Sequence, residues 1–539
     1  MSGSITLENR FGVNKMELIS LKYAIFVIVL LVLYYCFPKK YRWYVLLAGS
    51  MAYYVIICKW YVLFIIFTIC TTYGSTIWID KLLKEQNAIV KSHKEDWDRQ
   101  TRKEYKEKGR KKRVAVMLFA LLCNFGILAF LKYIPYAGEL GLLLPLGISF
   151  YTFQSMGYVM DVYREIVEPE KNFLKVALFV SFFPQIIQGP IAIYDKLAGQ
   201  LYEGHSLRLE NLQKGALLVL WGVMKKLVIA DRAVNIINFV MDKPMDFSGT
   251  YVFFAAVVYA LQLYADFSGG IDIVRGIAEM FGITMSTNFN HPYFSRSLTE
   301  YWHRWHMTLG DWCRNYIFYP LSISKRFLNF GKWLKPRFGA HISKVLPGCI
   351  ASVITFIVIG VWHGANMKYL CFGLWNGIAI MLAELFAPVN KKVAGGFFKL
   401  TGLREKGIFA TIVSVLWTFM LILVGYYFDI AANASTAFHM LFKSVTDFHI
   451  SELGINNIIL NLGACGLDEY DILLLIICTL LWFFISFVEE NKKLDMRDFI
   501  LSRKLPLRWA IIYLGIFIVI IFGYYGPGVN PADFVYMQF

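Results

Sequence analysis

The sequence lacks the signatures of nucleotide binding and of soluble nucleophile chemistry. It contains no P-loop, no G-x-G-x-x-G, no G-x-S-x-G nucleophile elbow and no H-E-x-x-H zinc pair. Its nine cysteines (36, 58, 70, 123, 313, 349, 371, 465 and 478) never stand as C-x-x-C, so spacing indicates neither a zinc site nor a disulfide framework. They lie mostly within apolar segments and read as small core residues. No internal repeat of half the chain length is visible, which counts against an inverted-repeat transporter. Acidic residues are outnumbered, 38 against 54 lysines and arginines. In a soluble protein that excess would suggest nucleic acid. Here it reads as basic cytoplasmic loops, with no nucleic-acid partner expected.

What is abundant is apolar. Hydrophobic residues make up 57% and aromatics 17% of 539 residues, and runs long enough to span a bilayer recur from end to end. Candidate spans fall near 18–37, 43–57, 60–79, 114–132, 141–160, 174–192, 213–229 and 250–267, then 346–361, 368–387, 409–428, 471–488 and 509–526. The expected fold is all-α: a polytopic bundle of about eleven to thirteen transmembrane or re-entrant helices, since helices satisfy their own backbone in lipid. Pro184 and Gly189-Pro190 mark 174–192 as re-entrant or half-length. Residues 1–17 read as a polar tail, 18–390 as the main membrane core, and 391–539 as further helices with an outward-facing loop at 430–470.

Loop charge orients this bundle. Lys39, Lys40 and Arg42, then the run from Lys81 to Arg113, place the first two basic loops in the cytoplasm and the N-terminus outside. The same rule puts 323–345, 391–408 and 489–508 inside. The span 346–361 then runs outward and 368–387 returns, with His363 near the outer turn of a tight hairpin.

Histidine is scarce, nine in all, yet three fall in two clusters. The first is Tyr-Trp-His-Arg-Trp-His-Met-Thr-Leu at 301–309. On a helix His303 and His306 would share a face beside Trp302 and Trp305. An interfacial aromatic belt, a catalytic pair and, least, a metal pair all fit that spacing; no acidic residue completes a ligand set, so no metal site is expected. The second is Gly-Val-Trp-His-Gly-Ala-Asn at 360–366. His363 stands between Gly360 and Gly364, which permit close approach. A buried neutral imidazole there is either a hydrogen-bonded core residue or a general base. Asp266 in Tyr264-Ala-Asp-Phe-Ser-Gly-Gly is costly at membrane depth and is expected to line water or pair with an arginine such as Arg304 or Arg314.

Pro145–Arg164, Phe183–Pro190, Tyr264–Gly269, Asn288-Phe-Asn-His-Pro-Tyr293, Tyr301–Leu321 and Val361–Asn366 together resemble the membrane-bound O-acyltransferases (MBOAT). The resemblance runs in order over most of residues 20–390. It is greatest to the bacterial branch of AlgI-type alginate O-acetylation and DltB-type teichoic acid D-alanylation proteins. Asn315 and Asn376-Gly377 depart from the alginate pattern, while Gly364-Ala-Asn366 and Tyr319-Pro-Leu321 favour it over D-alanylation. The resemblance implies helices around a funnel or tunnel in the cell membrane. His363 is then the catalytic residue and His306 the second functional position, with Asp266, Asn290, Arg304, Trp305, Arg314, Trp362 and Asn366 supporting or positioning. It also implies no permanently bound cofactor. The donor is a cytoplasmic acyl thioester, either acetyl-CoA or an acylated carrier protein. The acceptor side is an extracytoplasmic SGNH-hydrolase-like partner or a glycan hydroxyl. A glycan or lipid flippase is the reading from another class.

Overall fold

A computed structural model describes residues 18–134, 138, 140, 142, 144–401, 404, 407–454, 457, 463–526 and 534. The tail at 1–17 and parts of the 430–470 loop lie outside the described residues. Among those described, the ordered elements are helices. In chain order they are α1 (Leu21–Cys36), α2 (Arg42–Cys58), α3 (Val62–Ser92), α4 (Arg99–Tyr133), α5 (Ile148–Tyr163), α6 (Phe173–Ser181), α7 (Phe183–Gln188), α8 (Tyr194–Glu203) and α9 (Leu209–Met224). After a π-helical stretch at Lys225–Ala230 come α10 (Asp231–Met241), α11 (Gly249–Met280), α12 (Leu298–Arg304) and α13 (Met307–Cys313). A second π stretch, Arg314–Phe318, leads into α14 (Tyr319–Ser322), α15 (Lys325–His363), α16 (Met367–Leu385) and α17 (Ala387–Thr401). The last are α18 (Ile408–Ile430), α19 (Ala434–Thr446), α20 (Glu469–Lys492), α21 (Met496–Leu501) and α22 (Leu505–Phe522). Many start where a short polar side chain can accept an orphan backbone N–H. Ser20, Asp98, Ser324, Asn366 and Asp468 each cap the helix that follows.

Seven helical runs among the described residues are long and apolar enough to cross a membrane. One of them, Lys39–Ser92, contains both α2 and α3, and the bent pair α16–α17 adds an eighth. The other segments read as spans from the sequence are helical but shorter or broken. Nearly every side chain of α5 is buried in protein, so its apolar content is core. The break expected near Pro184 is present: α6 ends at Ser181 and α7 restarts at Phe183 for six residues. The basic segment 323–345 is a correction, because it is helix and not loop. α15 runs through it and bends at Gly339, whose φ of 80° is left-handed and interrupts the winding.

The chain divides into two compact units: residues 1–219 with 271–286, and 220–270 with 287–539. In the first, freed backbone groups at the break are met by glutamines. Gln154 Nε2 donates to Phe179 O at 2.6 Å, and Gln185 Nε2 donates to Pro190 O at 2.9 Å and also to Gln154 Oε1. Such pairing is what buried irregular backbone requires. Gly147, at φ 69°, abuts Ile186 O so closely that a Cβ would lie 2.1 Å from it. Tyr35 Oη donates to Met280 O at 2.7 Å, tying α1 to the returning segment.

In the second unit α15 and α16 form the expected hairpin, held close by glycines. A Cβ on Gly360 would stand 2.3 Å from Tyr369 O, and one on Gly373 2.3 Å from Phe356 O. Small residues at these positions let two backbones touch, which in lipid replaces the missing hydrophobic drive with van der Waals contact. Lys368 Nζ donates to Asp429 O and Ala431 O at 2.7 and 2.8 Å, and Trp375 Nε1 to Leu421 O at 2.9 Å, fastening α18 alongside.

Candidate functional site

His306 does not share a helix face with His303. α12 ends at Arg304, and His306 takes a left-handed conformation, φ 43° and ψ 52°, before α13 begins. Such a backbone is uncommon outside glycine and persists only where its surroundings hold it. Here the holder is the Asn288–Asn290 segment. Met307 N donates to Asn288 O at 2.9 Å, and Asn290 N donates to Arg304 O at 3.0 Å. The fully buried Asn288 side chain completes the grip. Its Oδ1 accepts from Thr308 N at 3.1 Å and Thr308 Oγ1 at 2.9 Å, with His306 Nδ1 at 3.1 Å.

This arrangement sets the imidazole tautomer. The backbone N–H of Thr308 can only donate, so the Asn288 atom it meets is the carbonyl oxygen. His306 Nδ1 must therefore carry its proton, leaving the lone pair on Nε2. Burial pushes His306 down to about 3, with the neighbouring His363 adding to the shift. A charged imidazole would be poorly solvated there, so the ring stays neutral and able to accept a proton.

His363 is the last residue of α15 and is buried. Its ring lies 4.9 Å from that of Trp362, 5.9 Å from Tyr369 and 5.5 Å from Phe372. Trp362 also neighbours His306, ring centres 6.3 Å apart. The two histidines, 57 positions apart in sequence, thus both neighbour one indole in a buried, aromatic setting. Gly360 and Gly364 fit tightly in the same turn, against Tyr369.

The supporting residues divide. Trp305 is buried among Tyr264, Phe289 and Tyr301, with ring distances of 5.9, 5.0 and 5.7 Å. Asn366 is exposed and caps α16 through Lys368 N at 3.1 Å. The exposed Asn290 engages Arg304 through its backbone. Asp266 pairs with neither arginine. Its Oδ1 lies 2.7 Å from Lys226 Nζ, which also lies 2.7 Å from Asp231 Oδ1, all three side chains at most 3% exposed. Arg304 instead bridges Glu300 and Glu490 at 2.7 and 3.0 Å. Arg314 bonds Asp311 and His303 Nδ1, both at 2.9 Å. Partial burial, and secondarily that cation, hold His303 below its ordinary value.

Asp266 nonetheless adjoins the site through the next residue. Phe267 sets its ring edge-on to His306 at 4.9 Å, and Ser268 Oγ accepts from Lys225 Nζ at 2.8 Å. Asn288, Phe267, Lys226 and Asp231 were not singled out from sequence. The signal for Asn288 lay in its motif, where Asn290 drew attention instead. Phe267 lay beside Asp266 in a motif already noted, and for Lys226 and Asp231 the signal was the run Lys225-Lys226 and Asp231-Arg232 bracketing apolar residues.

A buried, neutral histidine of fixed tautomer beside a second histidine is suited to acid–base handling of a hydroxyl proton. Residues 169–335 match the model of the membrane-bound O-acyltransferase family. His306 lies inside that stretch and His363 beyond it. Among curated proteins the chain is 30% identical over 315 residues to the probable alginate O-acetylase AlgI of Pseudomonas syringae pv. tomato, covering 58% of this chain and 54% of the relative. It is 30% identical over 314 residues to the peptidoglycan O-acetyltransferase of Helicobacter pylori, covering 51% and 56%. The teichoic acid D-alanyltransferase of Bacillus subtilis is 26% identical over 288 residues, covering 52% and 67%. The aligned stretch spans just over half the length of the first two relatives.

Proposed function

We propose that this protein is a multi-pass membrane O-acyltransferase supplying acyl groups, acetyl first, for esterification of an exported or cell-surface polysaccharide. The observation that carries this reading is the pair of buried histidines at Trp362, with His306 Nε2 left as a proton acceptor by the Asn288 bond. A cytoplasmic thioester, acetyl-CoA or an acylated carrier protein, is the donor. The acceptor hydroxyl belongs to a glycan or to an extracytoplasmic SGNH-hydrolase-like partner.

In the reaction His363 takes the hydroxyl proton as the oxygen attacks the thioester carbonyl. The carbon–sulfur bond breaks, the ester forms, and the proton leaves with the thiolate as free thiol. His306 assists from the Asn288 side. General base catalysis of this kind is worth roughly 10²–10⁴-fold. Charge in the basic loops orients the N-terminus and the 430–470 segment outward, so donor and acceptor lie on opposite faces.

Similarity to a protein named a D-alanyltransferase supports a second reading, transfer of D-alanine to teichoic acid. Ester content of the surface glycan, in cells carrying wild type or His363→Ala at matched membrane levels, tests both. Loss of ester is expected, and the released acid, acetate or D-alanine, chooses between them. Unchanged ester would sink the proposal and move a glycan or lipid flippase to first place.

A further inference from the structure

The unit that contains His306 also holds an apolar groove of about 320 Å³. α11 supplies Phe254, Val258 and Leu261, α20 supplies Leu475 and Ile476, and Phe419 of α18 closes one side. All three helices are long and apolar enough to cross a membrane, so the mouth, where Ile476 and Leu480 are 47% and 64% exposed, opens onto hydrocarbon. Tyr293 and Thr479 are the polar residues on the wall. Beyond Tyr293 and Phe483 a narrow cleft continues past His291, Trp482 and Ser486. Charge gathers there: His291 Nε2 is 3.8 Å from Glu489, and Glu490 holds Arg304 at 3.0 Å and Lys493 at 3.6 Å.

We propose that this groove is a binding site for one acyl chain of a membrane phospholipid, whose headgroup lies towards His291, Arg304 and Lys493. The wall offers water almost no hydrogen-bond partners, and a dry apolar cavity takes an apolar guest in preference to water. The bilayer at the mouth supplies that guest at high local concentration. The charged end carries both signs, as a zwitterionic headgroup requires: Arg304 and Lys493 for phosphate, with His291 as a neutral hydrogen-bonding partner, and Glu489 and Glu490 for an amine. The site also reaches the histidine pair. Tyr293 Oη donates to Ala260 O at 2.5 Å and lies 3.2 Å from Tyr426 Oη, itself 2.7 Å from Tyr301 Oη on the helix that leads to His306. The occupant therefore braces the segment from which the Asn288 grip arises.

The test uses the full chain, purified in mild detergent, incubated with mixed phosphatidylethanolamine and phosphatidylglycerol, washed, and weighed by native mass spectrometry with lipid extraction. Wild type should retain phospholipid. Leu475→Trp, which fills the groove from its wall, and Ile476→Trp, which blocks it from the exposed mouth, should each lose it while still eluting as a folded monodisperse protein. If Leu475→Trp fails to fold, Ile476→Trp decides alone. Equal phospholipid on wild type and Ile476→Trp overturns the assignment, as does recovery of an acyl thioester, or of detergent alone, from wild type.

Discussion

Replacing Lys226 with methionine would keep the length of the side chain and remove its charge. In the native protein one ammonium stands 2.7 Å from each of two carboxylates, Asp231 and Asp266. The relative exposures are 3%, 2% and 0% for Lys226, Asp231 and Asp266, so water cannot substitute for it. Removing one partner of a buried ion pair, leaving the other uncompensated, typically costs about 3–5 kcal/mol. Two carboxylates depend on this lysine, so the upper end is expected. The assay is reversible unfolding in mixed detergent micelles, comparing Lys226→Met with the triple variant that adds Asp231→Asn and Asp266→Asn. The triple variant should recover most of the loss, because a neutral set is often no less stable than an ionic one. A Lys226→Met protein within about 0.5 kcal/mol of wild type, the range of an ordinary surface change, would refute the reasoning.

Asn288→Ala strands the Thr308 N–H, the Thr308 hydroxyl and His306 Nδ1 without their common acceptor. A loss of about 1–3 kcal/mol is expected in unfolding, together with ester content as low as that of a His306 variant. Gly373→Ala forces a methyl against Phe356 O and should cost about 1–3 kcal/mol by overpacking, whereas Gly348→Ala, with open space around it, should be near neutral in the same melt. His306 also makes stability pH-dependent. Its folded value, about 3, lies below the ordinary 6.5, so between these the unfolded chain binds the extra proton. The native state is fully favoured above about 6.5 and loses ground as pH falls, by up to about 1.4 kcal/mol per pH unit. His306→Gln should flatten that part of the profile; an unchanged slope would place the imidazole in contact with water.

Periodicity and loop charge made the helical membrane architecture legible, and with it the hairpin that places His363 near a turn. Both histidines stood out because polar groups amid apolar runs are costly. What escaped was set by tertiary contact. The spacing of His303 and His306 suggested one helix face, but the Asn288 segment, 18 residues upstream of His306, unwinds the chain between them. Asp266 was expected to line water or pair with Arg304 or Arg314, but its partner is Lys226, from a preceding helical stretch and not from the histidine cluster. Long-range backbone pairing leaves no local signal, and a lysine inside an apolar run is easily read as a snorkelling span end.

The Lys226–Asp231 contact has a geometric condition attached. On an α-helix, residues five apart point about 140° away from each other, so these two could not both face one partner. The Lys225–Ala230 stretch is wound as a π-helix, whose i→i+5 bonding stacks such residues on one side. The wide turn lets the charges meet, and their meeting compensates for its looser winding. Straightening the turn would separate the ions, and neutralising the lysine would remove the reason for the turn. The two should come and go as one cooperative switch in helix phase, carrying with them the angular setting of everything α10 presents to its neighbours.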